Sequence, residues 1–477
     1  MVIIAMVAYA VYFSWFTILR HQTLNSAHAD LGIMHQTAYN TYRAIQTGEA
    51  GRFLELTNPH PPGSTNQITR TAIHADLLLV LAAFFYFLYA GPETLLVLQS
   101  VALALGAWAV FKISSRVLNS AGRRPWLPTA LSLAYLLYPP LHQLNIFDFH
   151  AVAFAVPLLL FLFYSLLQKR YGLALVFLIL VLLAKEQVSL TVFFIGLYFL
   201  ITAWRGQSKN RADFWFPLAV MAVSAAWFLV SLYWIIPASR DMVHYALVRY
   251  QTLGLSPLGI MAGLFSHPGA ILQQLMGVNA GGYILNLLAP LIFLPLLALP
   301  QLLLILPELA INLLSTEPLM QSFAFHYAAV LIPGVFIAAI YGARKIQPFT
   351  SFQLAAGLVI ILAGFTYWQS PLPGLKTWNS YGFFKYADQR ESVRMVQQGL
   401  KDETLKISAT TGLSPWLAGR RYFYLLAATY PAADYVVINK REVDAKADYT
   451  AVYERLEKDD NFIKEYDRQD IEVYRRR

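Results

Sequence analysis

The sequence predicts a polytopic α-helical membrane protein of about eleven spans, closed by a small water-exposed α/β domain. Two observations predict it. Hydrophobic residues make up 57% of the 477 residues and charged residues only 13%, about half the ~25% usual in soluble domains; the mean hydropathy is +0.49. So few charges could not solvate the surface of so long a chain. The apolar residues also come in long runs, such as WLPTALSLAYLLYPPL from Trp126, AVAFAVPLLLFLFYSLL from Ala151 and FWFPLAVMAVSAAWFLVSLYWII from Phe214. Hydrocarbon offers a backbone no hydrogen-bond partner, so runs of ~17–25 such residues read as helices that satisfy their own groups.

The elements follow in order. The run opening at Met1 lacks a basic n-region, and its end, WFTILRHQ, lacks a small-residue cleavage site, so it reads as a retained span. A polar first loop, 20–73, contains an amphipathic helix in which Leu31, Met34, Ala38, Tyr42 and Ile45 recur at helical spacing. PHPPG, Pro59 to Gly63, breaks the chain after it. The apolar stretch 77–90 is short for a span, so 74–90 reads as a juxtamembrane helix on the outer side. Spans are expected near 95–115, 126–141, 151–167, 171–187, 188–204, 214–236, 282–299, 300–315, 327–343 and 351–368.

Basic residues orient this chain. Lys112, Arg116, Arg123 and Arg124, then Lys169–Arg170, Arg205/Lys209/Arg211 and Arg344–Lys345, all fall in loops on one side when the spans alternate. The positive-inside tendency makes that side cytoplasmic. The outer side of the cell membrane then receives the first loop, the short loop His142–His150, the stretch 237–281, the loop from Glu317 to His326, and everything after residue 369. These anchors account for the formal net charge of +9, and no basic-aromatic stripe accompanies it, which excludes a nucleic-acid partner. The absence of cysteine excludes disulfides, thiolate metal sites and cysteine nucleophiles.

Residues 1–370 therefore form the membrane domain and 371–477 an external α/β domain. In the latter, SVRMVQQGLKD and YTAVYERLEKDD read as helices, and LKISAT, RYFYLL and DYVVIN as strands. FIKEYDRQDIEVYRR reads as a hairpin turning at Asp467 to Asp470.

Ionisable residues near membrane depth are costly and mark function by default. Here they gather at the outer ends of spans: Asp30 in HADLG, His74 and Asp76 before the juxtamembrane run, Asp148 and His150 in NIFDFH, Lys185 and Glu186 in LLAKEQ, and Glu317, His326 and Tyr327 in STEPLMQSFAFHY. One outer cleft could collect them. Its carboxylates would serve as a general base or hold a divalent cation through oxygen, and Lys185 with the histidines would neutralise a phosphate or pyrophosphate. Blander roles stand beside these: Asp30 as a helix cap, Lys185–Glu186 as a structural ion pair, and His326 as an interfacial histidine.

The order Asp30-Leu31-Gly32 with Gln36, then Asn145, Phe147, Asp148, Phe149 and His150, then Lys185–Glu186 and His326–Tyr327, resembles the DUF2079 family of prokaryotic membrane proteins. Its layout in turn resembles the GT-C superfamily of lipid-phosphosugar-dependent glycosyltransferases. The resemblance implies a GT-C-like membrane fold with outer juxtamembrane helices. It also implies transfer of a sugar from a polyprenyl-phosphate donor to an acceptor at the external face, with inversion. Asp30 would be the catalytic base. Asp148 would be a second catalytic acid, with Asp30 and Asp148 as candidate ligands for a divalent cation. His74, His150, Lys185, Glu186, His326 and Tyr327 would bind substrate. The membrane lipid is the implied partner. The competing classes are a transporter or flippase for an anionic lipid or sugar, and a non-catalytic protein that keeps the fold. No inverted repeat is visible to favour the transporter.

Overall fold

The structure is a computed structural model. It describes every residue except 27, 28, 62, 119–125, 241–244, 278 and 379–385, and only the backbone at 240, 245 and 347–352. Arg123 and Arg124, counted above among the basic loop residues, lie outside the described residues.

Helix α1 (Val2–Gln22) packs along α4 (Pro92–Val117), which in turn contacts α5 (Trp126–Leu136) and α7 (Ala155–Leu167). Between them lies an apolar core of Phe13, Phe16, Val110, Leu131, Tyr135, Leu160 and Phe163, each at most 1% exposed. Helix α8 (Tyr171–Leu182) packs on α7, and α9 (Val188–Arg205) pairs with α10 (Ala212–Val230). Their remaining faces leave Val176, Ile179, Trp215, Val223 and Leu229 exposed, as expected of side chains that meet lipid.

Four described helices are long and apolar enough to cross a membrane by length and composition, ending at Gln22, Val117, Arg205 and Ser239. This is fewer than the eleven spans expected: several apolar helices are shorter than 18 residues, and proline breaks three of the runs. The run 126–141 stops at Leu136 and restarts as α6 (Pro139–Ile146), with Pro139 and Pro140 in its first turn. The loop expected at His142–His150 is therefore mostly helix. After α11 (Ile236–Arg240), the stretch 237–281 carries two short apolar helices, α12 (Pro257–Ser266) and α13 (Pro268–Gly277). The runs 282–299 and 300–315 are broken into α14 (Ala280–Leu288), α15 (Leu299–Leu302) and α16 (Leu306–Leu313). Proline supplies no amide hydrogen and clashes with the preceding turn, and Ile292 and Phe293 add left-handed backbone at φ 51° and 55°. The juxtamembrane segment is α3 (Leu78–Phe84), extended by a turn to Phe87; at ~1.5 Å per residue it is too short to span.

Helix α17 runs from Leu331 to Gln369, yet it is not straight. Phe336 packs edge-on against Tyr138, ring centroids 5.2 Å apart, while Thr366 donates to the Leu137 carbonyl at 2.9 Å. A straight helix would set residues 336 and 366 about 45 Å apart, so the segment doubles back between them.

Helix α2 (Ala29–Thr47) and an antiparallel pair, β1 (Glu55–Thr57) with β2 (Gln67–Thr69), form the ordered part of the first loop. The C-terminal part is an α/β unit. Its sheet runs β4-β3-β5-β7-β6, with β3 (Ile407–Ala409) parallel to β4 (Phe423–Leu425) and β5 (Tyr435–Asn439). The hairpin β6 (Phe462–Arg468) and β7 (Ile471–Arg476) joins antiparallel to β5 and turns at Gln469 and Asp470, both at positive φ. Helices α18 (Arg390–Gly399), α19 (Ser414–Leu417), α20 (Lys440–Val443) and α21 (Ala447–Glu457) pack around it.

Candidate functional site

Helix α2 carries Asp30 in its first turn, where the helix dipole favours a carboxylate. Below it, Leu31, Met34 and Ala38 bury against Leu79, Ala82, Tyr86 and Phe149. That apolar seam fixes the helix and leaves the Asp30 side chain 45% exposed, facing a cavity of about 860 Å³.

His150 reaches the same cavity through a bend in the chain. Asp148 sits at φ 85°, and Gln99 of α4 clamps the bend: its Nε2 donates to the carbonyls of Asp148 (2.8 Å) and Asn145 (3.1 Å), and its Oε1 accepts from the His150 amide at 2.9 Å. The imidazole packs in a cluster of three rings, with Phe147 at 5.2 Å and His326 at 3.9 Å. Its Nε2 faces the Asp30 carboxylate at 3.7 Å. Burial pushes the Asp30 carboxyl up, but His150 and the charges of Arg70 and His60 outweigh it and hold the group below its ordinary value.

The opposite wall is an ionic cluster. Arg70 grips Asp76 with Nε and Nη2, at 3.0 and 2.6 Å to Oδ2. Glu186 accepts from His74 Nδ1 at 2.8 Å and from the Ala75 amide at 3.0 Å. Burial first, and then the Lys185 charge, hold His74 well below the ordinary imidazole range, so it is a neutral donor. Lys185 is 9% exposed; its ammonium makes no direct ion pair or hydrogen bond with any described side chain, while Glu186, Asp76 and Glu308 lie close enough to act on its charge. Behind it, buried Glu308 accepts from Gln187 Nε2 at 2.8 Å.

Eight of the ten residues read from the sequence line this one cavity: Asp30, His74, Asp76, His150, Lys185, Glu186, His326 and Tyr327. Asp148 does not. Its carboxylate is 3% exposed and stays within the bend it shapes. Glu317 also stands apart, accepting from its own loop at the Leu319 amide. With Asp148 withdrawn, the expected carboxylate pair does not meet, and among the described residues no group of three His, Cys, Asp or Glu side chains could hold a metal ion. The residues present do not fit a divalent-cation site.

The sequence reading missed Arg70, Arg249 and His60, which also line the cavity, and Gln99, which holds His150. Their signals were present: Arg70 stands one helical turn before His74, and Gln99–Ser100 is a polar pair inside an apolar run.

Away from this polar end the wall is apolar. Phe193, Phe194, Phe228 and Leu232 from the α9–α10 side face Ile260 and Leu264 of α12. The cavity thus combines charged side chains of both signs, Arg70, Lys185 and Arg249 with Asp30, Asp76 and Glu186, with a largely apolar wall.

Residues 20–473 match the profile of the family described as predicted membrane protein DUF2079. The chain belongs to that family. No curated protein matches it. Among solved structures, ArnT from Cupriavidus metallidurans bound to undecaprenyl phosphate is similar at 10% identity and a TM-score of 0.49, over 98% of each chain. The apo state of the same protein is similar at 10% identity and 0.47, again over 98% of each chain.

Proposed function

We propose that this DUF2079 protein transfers a sugar from a polyprenyl-phosphate donor to an acceptor hydroxyl at the outer face of the cell membrane. The observation that carries the reading is Lys185. An ammonium taken out of water with no direct ion pair costs several kcal/mol, and although Glu186, Asp76 and Glu308 lie close enough to act on its charge, an anionic ligand in direct contact would complete the site. Lys185 lines a cavity whose wall is otherwise largely apolar, so the complementary ligand is a phosphate carried on a long hydrocarbon chain.

In this account Lys185, Arg249 and the neutral His74 hold the phosphate, and the chain lies between α9–α10 and α12. Asp30 and His150 form the basic end that activates the acceptor. The acceptor oxygen attacks the anomeric carbon from the face opposite the phosphate, the carbon–oxygen bond to phosphate breaks, and the configuration inverts. The external C-terminal domain, residues 371–477, covers the loop that bears Asp30.

The test is a transfer assay on the full chain in membranes, with labelled polyprenyl-phosphate sugars and extracted acceptors. Labelled product formed by the wild-type chain and lost on Lys185→Met supports the reading. Movement of the labelled lipid between leaflets without transfer overturns it in favour of a flippase.

A further inference from the structure

The helix ends farthest from the cavity carry a second charged assembly. Helix α9 has 18 residues, so its Arg205 end stands about 27 Å along the axis from the Val188 end that follows Lys185. At that far end, the α7–α8 turn presents Lys169 and Arg170, and the α9–α10 turn presents Arg205, Lys209 and Arg211. All five side chains are exposed. The one carboxylate in these two turns is Asp213, in the first turn of α10. It is used internally. Buried at 6% exposure, it accepts from the Lys169 ammonium and from the hydroxyls of Tyr171 and Ser208.

We infer that these two turns form a binding site for the headgroup of an anionic phospholipid, in the leaflet opposite the Asp30 cavity. Three features make it a built site instead of a scatter of loop charges. Asp213 ties the turns together, since Lys169 and Tyr171 come from one side and Ser208 from the other. Both turns leave their helix through a left-handed residue, Lys169 at φ 56° and Gln207 at φ 48°, which keeps them short. Cations from separate loops are thereby held side by side. With Lys169 matched by Asp213, Arg170, Arg205, Lys209 and Arg211 have no carboxylate left in either turn.

Tryptophan sets the depth. Trp204, 72% exposed, closes α9, and Trp215, 61% exposed, stands in the first turns of α10. Such indoles settle at the headgroup level of a bilayer, which puts the neighbouring guanidinium groups at the level of the lipid phosphates. Three of the four uncompensated cations are arginines, whose planar forks match phosphate oxygens in pairs. Basic pockets between helix ends on this side of a membrane are suited to anionic headgroups for the same reason.

The experiment titrates the purified full chain in detergent micelles with phosphatidylglycerol or with phosphatidylcholine of the same acyl chains, and reads bound lipid by native mass spectrometry. Wild type should hold phosphatidylglycerol at least about tenfold more tightly. Equal affinity for the two lipids overturns the inference. Arg170→Gln/Arg205→Gln/Arg211→Gln should abolish the preference, while Lys112→Gln/Arg116→Gln, which neutralises another loop, should keep it. Equal losses in the two variants would mean diffuse charge and no site. Tyr171→Phe/Ser208→Ala leaves every charge in place and removes two of the three bonds to Asp213; it too should weaken the preference, and an unchanged preference would refute the tie between the turns. Inorganic phosphate at millimolar concentration should not displace the lipid. Displacement would assign the turns to a soluble anion instead. None of these readouts depends on sugar transfer.

Discussion

Gly32, two residues after Asp30, lies so close to Ser414 of the C-terminal domain that a methyl group at position 32 would stand 2.5 Å from the Ser414 Oγ. The domain is therefore seated on the helix that carries the candidate base. Neighbouring contacts tighten the seat: Gln36 Nε2 donates to the Arg421 carbonyl at 2.9 Å, Arg421 Nε pairs with Glu55 at 2.9 Å, and Trp416 stacks on His21 at 4.7 Å. Gly32→Ala should loosen the seat and expose the C-terminal domain to limited proteolysis. Ser414→Gly in the same chain removes the clashing atoms and should recover protection. Equal protection of wild type and Gly32→Ala would show that the close approach has no consequence.

Asp30→Asn should insert and fold normally but lose transfer by at least about a hundredfold, because the amide keeps the shape and loses the charge. The sign of the pH effect on stability follows from the depressed value of Asp30. A carboxyl held below its unfolded value contributes stability that is complete above that value, ~3.9, and is lost as pH falls through the folded one. The thermal-stability difference between wild type and Asp30→Asn should therefore be flat from neutral pH to about 5 and shrink below it. A difference that grows on acidification would contradict the ionised assignment.

Lys185→Met should separate stability from binding. Removing a buried ammonium that makes no direct ion pair should leave the melting temperature unchanged or raise it. Donor affinity should fall, since a hydrogen bond to a charged group is worth about 1.5–3 kcal/mol, or about ten- to a hundredfold. A large loss of stability with unchanged affinity would mean that Lys185 is structural.

The sidedness rests on the basic loops. A reporter active only after export, fused after Trp378, should be active, and a cytoplasmic reporter at the same point silent. The reverse pattern would move Asp30 and the whole cavity to the inner face.

Much of this arrangement is legible in the sequence, where each charge interrupts an apolar run and few other charges compete for attention. The amphipathic spacing of Leu31, Met34 and Ala38 specifies α2 and the face it buries, and charge density marks the C-terminal domain, whose hairpin turn at Gln469 and Asp470 falls where the turn chemistry puts it. Continuity of the spans is not legible in hydropathy. Pro139, Pro300 and Pro307 interrupt runs that an average treats as unbroken, and the doubling-back of α17 depends on packing against Leu137 and Tyr138. Asp148 is the instructive case. Its motif draws the eye to the carboxylate, but the role visible in the structure is a positive-φ bend that delivers His150. Arg70 and Gln99 escaped notice because their partners, Asp76 and the His150 amide, are identified only once the chain is folded.

The central claim is that this cavity holds a lipid phosphate with its head at Lys185. The most direct measurement is an experimental structure of the full chain in nanodiscs containing polyprenyl phosphate. The account predicts phosphate density within hydrogen-bond distance of the Lys185 ammonium, beside Asp30 and His150, with the hydrocarbon running between Phe228 and Ile260. A cavity without lipid there, or one opening alternately to the two faces of the bilayer, would contradict it.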